Sequence, residues 1–135
     1  MQTITWSDKF NVNVQVIDDQ HQQMVAMVNS LHSAAKACAD KEVLQKLLIG
    51  LYEHTRTHFA TEDELMKEHN YPGYAEHLHE HHVLLKHLEC IVVGVSGGKS
   101  PTFRYDYDVS SDWVLIHIIN SDKELGTFLN THDIF

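Results

Sequence analysis

Three stretches of this chain carry apolar residues at alternating steps of three and four, a fourth carries them at looser helical spacing, and each of the four stripes is interrupted by a histidine or a carboxylate. Such spacing marks an amphipathic helix, which buries the stripe against its neighbours. The first stripe runs His21, Met24, Val28, Leu31, Ala35 and Cys38; the second runs Leu44, Leu48, Leu51, Thr55, His58, Glu62 and Leu65. The third runs Tyr74, His77, His81, Leu84, Leu88, Ile91 and Val95, and the fourth Trp113, His117, Asp122, Leu125 and Phe128. A polar group on such a stripe is carried into the core, where an uncompensated carboxylate costs several kcal/mol.

The breaks between stripes predict helices over about 19–38, 42–69, 73–95 and 109–130. Asp18 or Asp19 is the expected N-cap of the first. Ala39-Asp40-Lys41 reads as a turn, and Asn70-Tyr71-Pro72-Gly73 stops the second helix because proline cannot continue one and disfavours helical geometry just before it. The run from Ser96 to Pro101 opens the one long loop, to about Asp108. Residues 1–17, with Trp6, Phe10 and the alternating Val12, Val14 and Val16, read as an extended arm on the bundle, since a lone strand has no partner. The predicted fold is all-α: an antiparallel up-down-up-down four-helix bundle with an extended N-terminal arm, residues 1–135 forming one domain. At 1.5 Å per residue the helices reach roughly 25–40 Å, enough to enclose a cofactor.

Composition narrows the function. Ten lysines and arginines stand against 19 aspartates and glutamates, a formal charge of −9. Nucleic acids and anionic membranes are bound by clustered cations, so neither is an expected partner. No apolar run approaches the ~20 residues of a membrane span. The start, Met1 to Asp8, lacks the basic end and apolar run of a secretory signal, and two cysteines, Cys38 and Cys90, make no disulfide framework. We expect both as buried thiols in a cytoplasmic protein. No extended exposed apolar face stands out, which favours a monomer. The residue in excess is histidine, 12 in all and more than lysine and arginine combined.

Seven of the polar groups on the stripes form a constellation. Helix one offers His21, helix two His58 and Glu62 at i, i+4, helix three His77 and His81 at i, i+4, and helix four His117 and Asp122. A spacing of four puts both side chains of a pair on one face. An H-x-x-x-H pair alone is weak, because chance would supply roughly one in a chain this rich in histidine. Convergence from all four helices is the stronger signal. His117 and Asp122 are five apart, about 140° around an ideal helix, so they share a face only through a wide bridging reach or a local π-bulge near Asn120. The other histidines, at 32, 54, 69, 79, 82, 87 and 132, are expected on the solvated surface.

In order and spacing these residues resemble the hemerythrin family, most closely its single-domain bacterial members, over essentially the whole chain. The resemblance is carried by Asp19-Gln20-His21, by His58-Phe59-Ala60-Thr61-Glu62 with Met66, by Tyr71-Pro72 and His77-x-x-x-His81, and by Trp113 with His117-x-x-x-x-Asp122. It implies a non-haem di-iron centre: His77, His81 and His117 on one iron, His21 and His58 on the other, Glu62 and Asp122 bridging together with an oxo or hydroxo group. Counted against two octahedral ions, these donors leave one position open beside His21 and His58. There the resemblance implies reversible binding of dioxygen, for carriage, storage or delivery to an oxygen-consuming recipient. Met24, Phe59, Trp113, Val114 and Ile118 are the expected lining of the oxygen pocket. Such a pocket must hold no acid, base or loose water that would release reduced oxygen.

Two other readings use the same centre. One is an enzyme, a di-iron peroxidase or oxidase; yet ferritin-like sites draw Glu-x-x-His from two helices, and this chain offers only Glu76-x-x-His79. The other is an oxygen or redox sensor, which we expect to be joined to an output domain. Histidine-rich ligation in an apolar setting favours the carrier, a binding protein rather than an enzyme. Imidazole and carboxylate alone would accept other divalent metals, so iron rests on the resemblance.

Overall fold

Three long helices arise from the first three stripes: α1 over Gln15–Lys36, α2 over Lys41–Glu68 and α3 over Tyr74–Ser96. They are seen in a computed structural model that describes residues 5–96 and 117–135. The fourth helix is described from His117 onward, where a π-helical turn, Ile118–Asp122, leads into α4, Lys123–Thr131. The expected start of that helix near residue 109, and the loop before it, fall outside the described residues. No strand occurs among the described residues.

Two apolar clusters enclose a polar middle. Phe10, Met24, Val28, Leu31, Leu44, Leu48, Leu51 and Leu88 make one, and Val12, Val14, Ile17, Met66, Leu125 and Leu129 the other. Each such side chain, fully buried, contributes roughly 1.5–3 kcal/mol. The clusters also fix direction. Along α1 the chain passes from Ile17 through His21 to Leu31; along α2 it returns from Leu44 through His58 and Glu62 to Met66. α3 starts at Tyr74 against the second cluster and reaches Leu88 in the first, while the fourth helix leads from His117 to Leu125 and Leu129 in the second. Direction reverses at every connection, which is the up-down-up-down four-helix bundle.

The N-terminal segment lies along this bundle. A 3-10 turn at Asp8–Phe10 delivers Phe10 to the first cluster, and Val12 and Val14 enter the second. A Cβ on Gly126 would stand 2.4 Å from the Val12 carbonyl oxygen, so only glycine lets the arm approach α4 this closely. Neither aspartate expected as an N-cap is one. α1 begins at Gln15 with Val14 at its N-cap and no side-chain cap. Asp18 instead sits in the first turn and accepts hydrogen bonds from the backbone N–H of Val12 at 2.8 Å and of Asn13 at 3.2 Å. Its carboxylate serves the arm, which reverses at Asn13 with φ 64°.

α1, α2 and α4 end in the same way. The residue after each C-cap adopts a left-handed conformation: Cys38 at φ 55°, Asn70 at 55° and Asp133 at 62°. The next N–H then reaches back to the last turn, Ala39 to Ala34, Tyr71 to Met66 and Ile134 to Leu129, at 2.9–3.0 Å. This is the Schellman arrangement, usually built with glycine. It explains why Cys38 is exposed and not buried on a stripe, since α1 has already ended. Cys90 is exposed as well, on α3. Among the histidines expected at the surface, His79, His82 and His132 are exposed, but His32 is buried and His54, His69 and His87 are half-buried. Leu31 and His32 are consecutive and both buried, so the apolar face of α1 is wider than a single stripe.

Candidate metal centre

The seven polar residues of the stripes meet between the two apolar clusters. His21 comes from α1, His58 and Glu62 from α2, His77 and His81 from α3, and His117 and Asp122 from the fourth helix; all are at most 4% exposed. Their nitrogen and oxygen atoms fall into two groups, each with its members within 4.8 Å of one another. Glu62, His77, His81, His117 and Asp122 form one group; His21, His58, Glu62 and Asp122 form the other. Both carboxylates belong to both.

The sharing extends to single oxygens. Glu62 Oε1 lies 2.9 Å from His81 Nε2 and 3.2 Å from His77 Nε2, whereas its Oε2 lies 3.3 Å from His58 Nε2. Asp122 Oδ1 lies 2.8 Å from His117 Nε2 and 3.2 Å from His77 Nε2, whereas its Oδ2 lies 2.7 Å from His21 Nε2. Each carboxylate thus turns one oxygen to the three-histidine group and the other to the two-histidine group. The π-helical turn places His117 and Asp122 on the same side of the helix despite their spacing of five.

Outside the cluster, partners hold the imidazole rings by their second nitrogens. His58 Nδ1 meets Gln20 Oε1 at 2.7 Å, His81 Nδ1 meets Asp63 Oδ1 at 2.9 Å, and His117 Nδ1 meets Glu80 Oε1 at 2.6 Å. The Ser121 hydroxyl reaches both Glu80 oxygens, at 2.8 and 2.6 Å. Partners of this kind turn Nε2 toward the centre and raise its basicity. Sequence reading gave no role to Gln20, Asp63, Glu80 or Ser121. All four adjoin a predicted ligand in sequence, which is the only signal available, because the contacts cross from one helix to another.

Every ion-pair partner of Glu62 and Asp122 among the described residues is a histidine. Burial and the neighbouring Asp122 charge would push the Glu62 carboxyl up, yet His58 and His117 hold it well below the ordinary range. Burial likewise works against ionised Asp122, and His117 overrides it, with the same outcome. The histidines respond in kind. Burial disfavours imidazolium at His58, but Glu62 and Asp122 raise its pKa to about 9. His77 is raised against burial to about 9 by the same two carboxylates, and His117 rises well above its usual value.

Protons on histidine are therefore what balances the two buried carboxylates when no metal is bound. The hydrogen-bond geometry shows that they do so poorly. His58 Nε2, His117 Nε2, Glu62 Oε2 and Asp122 Oδ1 are buried without a hydrogen bond, although Nε2 of His117 and Oδ1 of Asp122 stand 2.8 Å apart. Close atoms that do not align on one another suit lone pairs aimed at a third atom, and buried polar groups seldom go unsatisfied otherwise. Imidazole with carboxylate is a donor set for divalent transition metals. The residues present fit a metal site, and each of the two groups could hold an ion.

Of the expected pocket lining, Phe59 is buried with its ring stacked on His81 at 3.9 Å between centroids, and edge-on to His117 at 5.4 Å. Met24 is buried in the first apolar cluster, three residues after His21 on α1. Trp113 and Val114 lie outside the described residues, as does the Ile118 side chain. No helix among the described residues is long and apolar enough to cross a membrane.

Comparison with known proteins agrees with this geometry. The family model described as hemerythrin HHE cation binding domain matches residues 12–129. The chain is 30% identical over 131 residues to the bacteriohemerythrin of Methylococcus capsulatus, covering 96% of this chain and 99% of that protein. It is 28% identical to the bacteriohemerythrin of Stenotrophomonas maltophilia, covering 98% and 85%, and 30% identical to the myohemerythrin of Sipunculus nudus, covering 87% and 86%. A crystal structure of wild-type hemerythrin superimposes with a TM-score of 0.87 at 29% identity, over 93% of this chain and 97% of that one. The helix order, the polar middle and these likenesses lead to one conclusion: the chain belongs to the hemerythrin family.

Proposed function

We infer that this protein binds dioxygen reversibly at a di-iron centre, as a carrier, store or delivery protein and not an enzyme. His77, His81 and His117 would hold one iron, His21 and His58 the other, with Glu62 and Asp122 bridging. The observation that carries this reading is the division of each carboxylate, one oxygen toward three histidines and one toward two. That unequal division favours a centre with one metal less saturated than its partner. Iron would supply the electrons that dioxygen needs in order to bind; the chain supplies the setting. Phe59 lies flat against His81, Met24 adds an apolar side chain, and the two clusters exclude water at either end. Water-poor surroundings keep a reduced ligand from being protonated and lost.

The test is the visible spectrum of anaerobically reduced protein whose iron content has been measured. Two irons per chain and a charge-transfer band that grows in air and fades on evacuation are the expected result. A band that bleaches only with added reductant, or steady consumption of peroxide, would replace the carrier with an oxidase, peroxidase or redox sensor.

A further inference from the structure

The shell around the centre is asymmetric in charge. At the three-histidine end, His81 and His117 donate through Nδ1 to carboxylates, Asp63 at 2.9 Å and Glu80 at 2.6 Å. At the two-histidine end, His58 donates to the neutral amide oxygen of Gln20 at 2.7 Å, and His21 Nδ1 is buried without a hydrogen bond among the described residues. Gln20 is itself tied down, its amide nitrogen donating to the Thr61 hydroxyl at 3.2 Å.

We propose that Asp63 and Glu80 make the two metal positions unequal in affinity, so that the His77, His81 and His117 end fills first and the His21 and His58 end second. This rests on the two-metal reading above.

A carboxylate behind an imidazole pulls the Nδ1 proton toward itself and makes Nε2 a stronger donor to a cation. It also adds a negative charge close to the ion. An amide does the first weakly and the second not at all. The side chains of Asp63 and Glu80 are 26% and 37% exposed and so keep contact with water, while the imidazoles that they back are almost wholly buried. Glu80 is further fixed by Ser121, which the π-helical turn sets beside Asp122. All three are positioning residues: they touch histidines or one another and not the metal.

The experiment is a titration of metal-free protein with Co(II), under anaerobic conditions at fixed pH, followed by calorimetry and by the visible ligand-field bands of Co(II). The wild type should take two ions per chain in two resolved steps. Glu80→Gln and Asp63→Asn keep shape and an acceptor but remove the charge; each should weaken the first step about tenfold, within the range typical of such partners, and disturb the second less. Gln20→Glu adds the missing charge and should tighten the second step, bringing the two together. Ser121→Ala keeps the Glu80 charge and should cost less than Glu80→Gln. Helix content by circular dichroism shows that each variant is folded. Two steps that weaken equally in Glu80→Gln and Asp63→Asn, no response to Gln20→Glu, or equal losses in Ser121→Ala and Glu80→Gln would overturn the proposal. Fewer than two Co(II) per chain would overturn the two-metal reading itself, a separate and recognisable failure.

Discussion

His117 and Asp122 are five residues apart, yet Nε2 of one stands 2.8 Å from Oδ1 of the other, because the backbone between them runs as a π-helical turn over Ile118–Asp122. An ordinary α-helix would leave them about 140° apart. The same turn brings Ser121 to Glu80, so one local widening serves both a bridging carboxylate and the shell behind His117. Backbone departures of this kind tend to gather at functional sites.

Because both carboxylates are shared, losing one should weaken both metal positions and cost the centre at least one ion. Glu62→Gln and Asp122→Asn should each reduce bound metal from two ions per chain to one or none, and His58→Ala should do the same. His82→Ala, on the exposed side of α3, should leave two ions bound. Elemental analysis after dialysis measures this; equal retention in all four variants would remove the centre from this position.

Metal-free protein should grow less stable as pH rises. His58 and His77 titrate at about 9 in the fold against 6.5 unfolded, so their stabilising contribution is complete below about pH 6.5 and is lost as pH passes through about 9. Glu62 and Asp122 are depressed, so their contribution is present above their ordinary values and lost only in stronger acid. The metal-free form should therefore be less stable at pH 9 than at pH 6 by on the order of a few kcal/mol. Metal-loaded protein, whose ligands carry no such protons, should be more stable at both and lose far less between them. Thermal melts of the two forms at the two pH values test the sign.

What could be read in advance followed from periodicity. Burial obliges an amphipathic helix to repeat its apolar positions, so the stripes gave the bundle and named the polar residues carried inside with them. Contacts set by how helices meet leave no such trace. Asp63 and Glu80 look like solvent-facing acids until α2, α3 and the fourth helix are packed, and Gln20 is one polar residue among several in α1. Asp18 resembles a helix cap in sequence, but the arm folds back to claim its carboxylate. Cys38 fits the stripe by spacing, although the helix it would continue ends at Lys36.

Two glycines should respond in opposite ways to alanine. Gly50 lies inside α2 with no atom within 4 Å of a Cβ, so Gly50→Ala should raise stability by about 0.5–1 kcal/mol through helix propensity and reduced freedom of the unfolded chain. At Gly126 a Cβ would meet the Val12 carbonyl oxygen at 2.4 Å and Val12 Cβ at 2.7 Å, and backbone cannot give way cheaply. Gly126→Ala should cost about 1–3 kcal/mol and loosen the arm. Melting temperatures should move apart accordingly, and hydrogen exchange at the Val12 and Asn13 amides should quicken only in the second variant.

Cys38 offers a change in the other direction at a helix end. It is exposed and left-handed at φ 55°, a conformation that costs a residue with a side chain roughly 1–2 kcal/mol and glycine almost nothing. Its N–H bonds the Ala35 carbonyl at 3.1 Å, and the following Ala39 N–H bonds Ala34 at 2.9 Å, so the arrangement to be kept is all backbone. Glycine loses more freedom on folding than cysteine does, which offsets part of the gain. Cys38→Gly should still stabilise by about 0.5–1 kcal/mol, without altering metal content, because nothing exposed is lost and the left-handed position is relieved. A chemical denaturation midpoint that rises while the slope stays constant would confirm it; a midpoint that falls would show that the Cys38 side chain contributes a contact worth more than the backbone relief.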